Sequence, residues 1–167
     1  MRASRREDFA ALQRIEIEAG RAFADVGFPS VASDDPFSVD ELAEFLAAGR
    51  LWSAVGSDDV PIGYVVAREI SGRGHVEQVS VRPDQQGRGV GRLLIDEVEA
   101  WARGRGRTEL TLSTFRDVAW NAPLYAHLGF RVMAEDELDA ELLAERDHEV
   151  AEGLDVDVRV FMLRPID

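Results

Sequence analysis

The chain has 167 residues, 46% of them hydrophobic, and a formal net charge of −13 from 32 acidic and 19 basic residues. This length and apolar content favour one domain with a sizeable core, and the acid excess disfavours nucleic acid and favours a cationic partner. Because cysteine is absent, the histidines are scattered and every basic residue is arginine, we exclude thiolate metal sites, thiol nucleophiles, Walker-type phosphate loops and Schiff bases.

The sequence also carries no sign of a membrane or secretory segment. No apolar run approaches the ~20 residues of a membrane span, and the N-terminus has no apolar signal-peptide core. We therefore expect a cytoplasmic protein that uses no membrane, nucleic acid or metal ion. Both a monomer and a homodimer are compatible with the sequence.

The predicted elements alternate between helical and β-strand patterns. Apolar residues at helical spacing predict the first helix, and Ser38 with Glu41 three residues later forms a capping box that predicts the second. β-Branched runs predict the strands. In chain order the predicted elements are helices 7–23 and 39–47, strands 51–55, 61–70 and 75–81, helix 90–102, strand 108–114, helix 119–128, strand 130–133, helix 138–150 and strand 156–163.

This order predicts an α+β fold of mixed character over residues 1–167, which we expect to form a single domain. A central twisted sheet of about six to seven strands, mixed but mostly antiparallel, would be flanked by the helices.

The stretch "SVRPDQQGRGVGRLL" places three glycines, Gly87, Gly89 and Gly91, between a predicted strand and a predicted helix. The first turn of a helix has unpaired N–H groups and a positive dipole end, so a loop without side chains could admit an anion, such as a diphosphate. Arg88 and Arg92 would add charge. A glycine-rich turn without a ligand is the alternative. The spacing does not fit the dinucleotide-binding G-x-G-x-x-G pattern.

Two motifs together resemble the GNAT acyl-CoA N-acyltransferases. "VRPDQQGRGVGRLL" is similar to the family signature Q/R-x-x-G-x-G/A, with Gln86, Gly89 and Gly91 in the signature places. "WNAPLYAHLGF" is similar to the second landmark of the family, a short helix that carries a tyrosine and is followed by L-G-F. The resemblance covers residues 51–133 well and the two ends weakly, and it says little about the substrate.

The resemblance implies acetyl-CoA as co-substrate and no metal. Backbone groups of the strand "EQVSV" would pair with the pantetheine arm, and the N–H groups of the glycine loop would hold the pyrophosphate. Asn121 has two interpretations, a contact to the arm or a helix cap, because the family commonly has asparagine where this chain has Val118. The implied cofactor-binding residues are Val79, Ser80, Val81, Gln86, Gly87, Arg88, Gly89, Val90, Gly91, Arg92 and Asn121.

The resemblance also assigns catalytic roles. Tyr125 stands where the family places a general acid facing the departing thiolate, with a packing aromatic as the alternative. His75 and Glu77, two residues apart on one strand face, lie where the family commonly draws a base, with a solvated polar pair as the alternative. An unperturbed histidine has the more suitable pKa. We nevertheless expect Glu77 to be the principal base, because it is nearer to Val79 and Val81, with His75 assisting from about 7 Å along the strand.

The sequence therefore predicts an N-acetyltransferase. It would transfer an acetyl group from acetyl-CoA to a primary amine of a small molecule or peptide, by direct attack in a ternary complex, with backbone N–H groups near Val81 meeting the oxyanion. We expect the acceptor to be cationic. The alternative is an acyl-CoA-binding sensor or non-catalytic domain of the same family. Segments 23–37 and 133–155, which we expect to shape the acceptor pocket, contain no recognisable motif.

Overall fold

The computed structural model describes residues 1–166, which form a mixed sheet of seven strands and six α-helices. The strands are β1 (Arg2–Ala3), β2 (Leu51–Val55), β3 (Pro61–Ile70), β4 (Arg73–Val81), β5 (Glu109–Phe115), β6 (Arg131–Val132) and β7 (Arg159–Pro165). The helices are α1 (Phe9–Gly20), α2 (Pro29–Ala32), α3 (Val39–Ala47), α4 (Val90–Gly104), α5 (Ala122–His127) and α6 (Ala140–Ala151).

The strand order in the sheet is β1-β2-β3-β4-β5-β7-β6. The β1–β2, β2–β3, β5–β7 and β6–β7 pairs are antiparallel, whereas β4 and β5 are parallel. The predicted fold class, α+β with a mixed and mostly antiparallel sheet of six to seven strands, is therefore confirmed. Among residues 1–166, no helix has the length and apolar character that crossing a membrane requires.

Several element boundaries differ from the predicted ones. The first predicted helix gives way after Gly20 to a 3-10 stretch, Arg21–Val26, which ends at Gly27 with a left-handed φ of 92°. The two-residue strand β1 and the four-residue helix α2 were not predicted, because elements this short show no periodicity. The capping box at Ser38 is confirmed: its hydroxyl accepts the Glu41 N–H at 3.2 Å, and the Glu41 carboxylate accepts the Ser38 N–H at 2.8 Å.

Contacts divide the chain into two compact units, and strands β3 and β4 each supply residues to both. The first unit contains Met1–Ala67 and Gln78–Val98, and the second contains Arg68–Glu77 and the residues from Glu99 onward. The expectation of one domain over residues 1–167 stays a prediction.

Each unit has its own apolar core. The core of the first unit joins helices α1 and α3 to strands β2 and β3, and the core of the second joins α6 to β3 and β7. Removing these side chains from water supplies the main driving force for folding. The buried residues of these two clusters are Phe9, Leu12, Ile15, Leu42, Leu51, Tyr64 and Val66 in the first unit, and Ile70, Met133, Leu142, Phe161 and Leu163 in the second.

Gly74, at the start of β4, marks a close approach of helix and strand in the second unit. A Cβ at this position would lie 2.8 Å from both the Ala102 Cβ of α4 and the Leu110 Cδ2 of β5. Both distances are shorter than carbon atoms tolerate. Glycine is therefore required here for packing, and it permits α4 to lie directly over the β4–β5 pair.

We predict that Gly74→Ala lowers the free energy of unfolding by about 1–3 kcal/mol, the usual cost of overpacking a core. Gly104→Ala is the matched control, because a Cβ at Gly104 would meet no atom within 4 Å. Urea denaturation of both variants checks this prediction. Equal stabilities for the two variants would contradict it.

Candidate active site

Strand β4 leads into the glycine loop through a short, tightly bonded turn. The Arg82 N–H donates to the Ile62 carbonyl at 2.9 Å, so pairing with β3 continues to the end of the strand. The Arg82 guanidinium then holds the Asp84 carboxylate in two contacts of 2.5 and 2.7 Å. The Gln86 side-chain amide donates to the Val81 carbonyl at 3.2 Å. This glutamine thus closes the loop onto the strand that precedes it.

The three glycines of the loop differ in backbone conformation and in the space around them. Gly87 and Gly89 have φ values of 73° and 81°, a left-handed conformation that side chains disfavour. A Cβ on either residue would meet no atom within 4 Å, so the space above them is open. Gly91 has no positive φ, and its Cβ would meet only Val81 Cγ2 at 3.9 Å. Neither backbone strain nor packing within the protein therefore requires glycine at position 91.

Helix α4 begins directly after this loop. The Leu93 N–H donates to the Gly89 carbonyl at 3.1 Å in the first turn of the helix. The preceding amides, at Val90, Gly91 and Arg92, lie at the positions where a helix leaves N–H groups without intrahelical acceptors. Arg88 and Arg92 are exposed, and Arg92 lies 3.8 Å from the Asp96 carboxylate one turn along. The geometry suits an anion held by backbone donors.

The end of β4 and the glycine loop belong to the first unit. Val79 and Val81 are half-buried, whereas Ser80 is buried. The Gln78 side-chain amide donates to the Ser80 hydroxyl at 3.0 Å, so these two side chains share a face of the strand. This alternation agrees with the predicted one.

His75 and Glu77 belong to the second unit, and they differ in their surroundings. His75 is buried, with 3% of its surface exposed, and its Nδ1 lies 3.0 Å from the hydroxyl of Thr111, its partner in the β4–β5 ladder. Burial lowers the pKa of His75 to about 3, and the positive charges of Arg68 and Arg159 act in the same direction. The imidazole is therefore neutral at physiological pH.

Glu77 is mostly buried and ion-paired. Its carboxylate lies 2.6 Å from Arg68 Nε, and 21% of its side chain is exposed. Burial raises the pKa of Glu77, the Arg68 charge opposes this rise, and the nearby carboxylates Glu145 and Glu149 add to it. A raised pKa makes a carboxylate a better proton acceptor at neutral pH. His75 and Glu77 thus form a largely buried pair under the influence of one guanidinium.

Tyr125 lies half-buried on the short helix α5. Burial raises its pKa to about 12, with the Arg159 charge acting in the opposite direction, so the phenol stays protonated at neutral pH. Its ring packs edge to face against buried Phe130, at 5.9 Å between centroids. Gly129, with a φ of 89°, turns the chain between the two rings and accounts for the L-G-F motif.

Asn121 directly precedes helix α5. Its backbone N–H donates to the Val118 carbonyl at 2.9 Å, and its carbonyl accepts the Tyr125 N–H at 2.9 Å. Its side chain makes no capping hydrogen bond within the described part of the chain. The side-chain amide is thus not used by the helix that it precedes.

The sequence interpretation missed the charged residues that surround Glu77 and Tyr125. Helix α6 carries Glu145 and Glu149 one turn apart, and each pairs with an arginine from a strand. Their i, i+4 spacing on a predicted helix was the available signal. The sequence did not indicate that Arg68 on β3 and Arg159 on β7 would contact these carboxylates, because strand pairing decides where the two arginines lie.

Two further features concern ligand binding. No group of three or more acidic, histidine or cysteine residues suited to a metal ion occurs within residues 1–166. A groove of about 440 Å³ in the first unit is lined by Glu18, Arg21, Arg82, Pro83 and Asp84. Its two arginines and two carboxylates balance, so its charge indicates neither an anion nor a cation.

Residues 17–130 match the sequence model of the acetyltransferase (GNAT) family. Among curated proteins, the peptidyl-lysine N-acetyltransferase YjaB of Escherichia coli is 31% identical over 100 residues, which are 60% of this chain and 62% of that protein. The aminoglycoside N(6')-acetyltransferase type 1 of Stenotrophomonas maltophilia is 37% identical over 89 residues, 47% of this chain and 57% of that protein. The chain thus spans about three fifths of the length of these relatives.

The fold is similar to that of a solved structure. Rv2747 from Mycobacterium tuberculosis, solved in complex with CoA and NLQ, superposes with a TM-score of 0.71 at 20% identity. The match covers 99% of this chain and 98% of that protein. At this identity the likeness concerns the fold.

We predict that buried His75 makes the protein less stable in acid. Its pKa of about 3 in the native state is below the ~6.5 of an unfolded chain, so the unfolded state binds more protons as pH falls below that value. The loss between pH 7 and pH 4 should be about 3 kcal/mol. Urea denaturation across this range should therefore give a steeper pH dependence for the parent than for His75→Gln. Parallel curves would contradict the prediction.

Proposed function

Because the chain belongs to the acetyltransferase (GNAT) family, we propose that it transfers an acetyl group from acetyl-CoA to a primary amine of a small molecule or peptide. The observation that carries this proposal is the loop before α4. Open space lies above Gly87 and Gly89, and the first N–H groups of the helix have no intrahelical acceptor. Such a loop provides donors for a pyrophosphate without side chains in the way.

In this proposal the residues of the loop and of β4 bind acetyl-CoA. The backbone N–H groups of residues 86–92 hold the pyrophosphate, and the exposed guanidiniums of Arg88 and Arg92 add attraction at longer range. Gln86 keeps the loop in place through its bond to the Val81 carbonyl. Backbone groups of Val79, Ser80 and Val81, and the side-chain amide of Asn121, are the proposed partners of the pantetheine arm.

Glu77 is the proposed base, acting directly or through an ordered water. An alkylamine has a pKa of ~10 and arrives as an ammonium ion, so a group must take its proton before the nitrogen attacks the thioester. Burial raises the pKa of Glu77 toward the range in which a carboxylate can do this. The pKa of His75, about 3, leaves it neutral. Its proposed assisting role is therefore that of a hydrogen-bonding group fixed by Thr111.

Tyr125 is the proposed general acid. Its pKa of about 12 keeps the phenol protonated at neutral pH, so the hydroxyl is available to donate a hydrogen bond and then its proton to the departing thiolate. The edge-to-face contact with Phe130 fixes the orientation of its ring. The same contact would also serve a tyrosine that only packs, so this assignment requires a kinetic test.

The proposed acceptor is a cationic amine. The net charge of −13 favours association with cations. The two curated relatives are named for acetyl transfer to peptidyl lysine and to an aminoglycoside, both of which carry amines. We keep the expectation of a cytoplasmic location and of a monomer or homodimer as part of this proposal. A non-catalytic acyl-CoA sensor is the second candidate, and retention of both Glu77 and Tyr125 argues against it.

Turnover distinguishes these candidates. Purified protein is mixed with acetyl-CoA and a panel of polyamines, aminoglycosides, amino acids and lysine peptides, and free thiol is followed with time. We expect at least one amine to accelerate thiol release in the parent but not in Glu77→Gln. Tight acetyl-CoA binding without release for any amine would favour the sensor.

We predict that Gly91→Val weakens acetyl-CoA binding by about tenfold or more, because a branched side chain would occupy the space of the phosphate oxygens. The position tolerates a side chain within the protein itself, so the fold should remain intact. Gly91→Ala is the matched control and should keep most of the affinity, since alanine occurs at this place in the signature. Calorimetric titration measures both. Unchanged affinity in a folded valine variant would show that the loop does not bind the pyrophosphate.

We predict that Tyr125→Phe keeps the affinity for acetyl-CoA and lowers kcat by about 10²–10⁴-fold, the usual contribution of a general acid. The variant retains the ring that packs against Phe130, so only the proton donor is lost. Steady-state kinetics with the best acceptor from the panel provide the measurement. A kcat equal to that of the parent would make Tyr125 a packing residue.

A further inference from the structure

Helix α6 brings two carboxylates to the base of the proposed reaction. Glu145 and Glu149 lie one turn apart and so face the same side of the helix. Glu149 pairs with Arg159 of β7 at 2.6 Å, and Glu145 pairs with Arg68 of β3 at 2.7 Å. The second pair is the important one, because Arg68 also binds Glu77.

Arg68 binds its two carboxylates with different nitrogens. Its Nε lies 2.6 Å from Glu77 Oε2, and its Nη2 lies 2.7 Å from Glu145 Oε1. The side chains of Glu77 and Glu145 are 21% and 15% exposed, respectively, so water screens these contacts only in part. The Nε–Glu77 contact is a hydrogen bond, whereas the Nη2–Glu145 contact is a close ion pair without hydrogen-bond geometry, so one guanidinium charge is shared by two carboxylates.

We propose that Glu145 is a positioning residue, which controls the Glu77 carboxylate through the Arg68 guanidinium that they share. The inference rests on the proposed role of Glu77 as base. An arginine bound to Glu77 alone would stabilise the ionised carboxylate and make it a weaker base. Sharing the guanidinium with Glu145 divides that stabilisation and adds a second negative charge nearby.

The charged groups that act on the pKa of Glu77 come from two elements, β3 and α6. Arg68 of β3 lowers its pKa, whereas Glu145 and Glu149 of α6 raise it. On β4 itself, His75 is neutral. Arg159 of β7 is engaged by Glu149 and by the Ser113 hydroxyl, at 3.1 Å. Arg68 and Glu145 contact each other, yet they shift the pKa of Glu77 in opposite directions.

The first test is a direct titration of the Glu77 carboxyl group by carbon NMR, with the signal assigned by its loss in Glu77→Gln. In Glu145→Gln we expect the titration midpoint to fall by about half a pH unit or more, and in Arg68→Gln to rise by about as much or more. Glu145→Asp, which keeps the charge, should restore the midpoint in part. Glu149→Gln is the matched control on the same helix face and should give a smaller fall than Glu145→Gln.

The second test is the pH dependence of kcat/KM for the same variants. The acidic limb should move to lower pH in Glu145→Gln and to higher pH in Arg68→Gln, because the limb reports the protonation of the base. A purely structural role for Glu145 would reduce activity at every pH without moving the limb. Circular dichroism identifies any variant that does not fold, and if Arg68→Gln is one of them, the comparison of Glu145→Gln with Glu149→Gln decides.

The two measurements separate this inference from the proposed function. If the NMR midpoint of Glu77 is the same in the parent and in folded Glu145→Gln, the coupling through Arg68 is overturned whatever the kinetics. If the midpoint moves but Glu77→Gln keeps the kcat/KM of the parent, Glu77 is not the base, and the positioning role of Glu145 in catalysis is overturned with it.

Discussion

The ionisable residues of the second unit depend on one constraint: charge held away from water must be compensated by nearby groups. Burying an unpaired carboxylate or guanidinium costs several kcal/mol. Arg68 and Arg159, on strands on either side of the β4–β5 pair, meet this constraint with carboxylates from α6. Because these pairs join α6 to both strands, the same contacts also set the electrostatic environment of Glu77.

Local patterns in the sequence predicted the parts of the structure that local chemistry controls. The capping box at Ser38, the glycine loop before α4 and the turn at Gly129 each depend on residues within a few positions of one another. The α+β class followed from the order of such elements. Strand β1 and helix α2 were missed because two and four residues are too few to show a period.

The chemistry of the candidate site was less accessible from the sequence. Reference pKa values favoured His75 over Glu77 as a base, yet burial takes the two in opposite directions, lowering the first and raising the second. The ion pairs that join α6 to β3 and β7 cross 77 and 10 residues of chain, respectively. Such contacts are decided by tertiary packing, which single-sequence patterns do not encode.

The exclusive use of arginine has a chemical consequence for these ion pairs. The amine of a lysine, once deprotonated, can be acetylated, and acetylation removes the charge and the salt bridge of that lysine. A guanidinium is charged at every physiological pH and offers no free amine. Under the proposed reaction, the cations that hold Glu77, Glu145 and Glu149 therefore cannot be neutralised by acetyl groups that the protein itself activates. The ion pairs around Glu77 are therefore protected from the reaction that we propose for the protein.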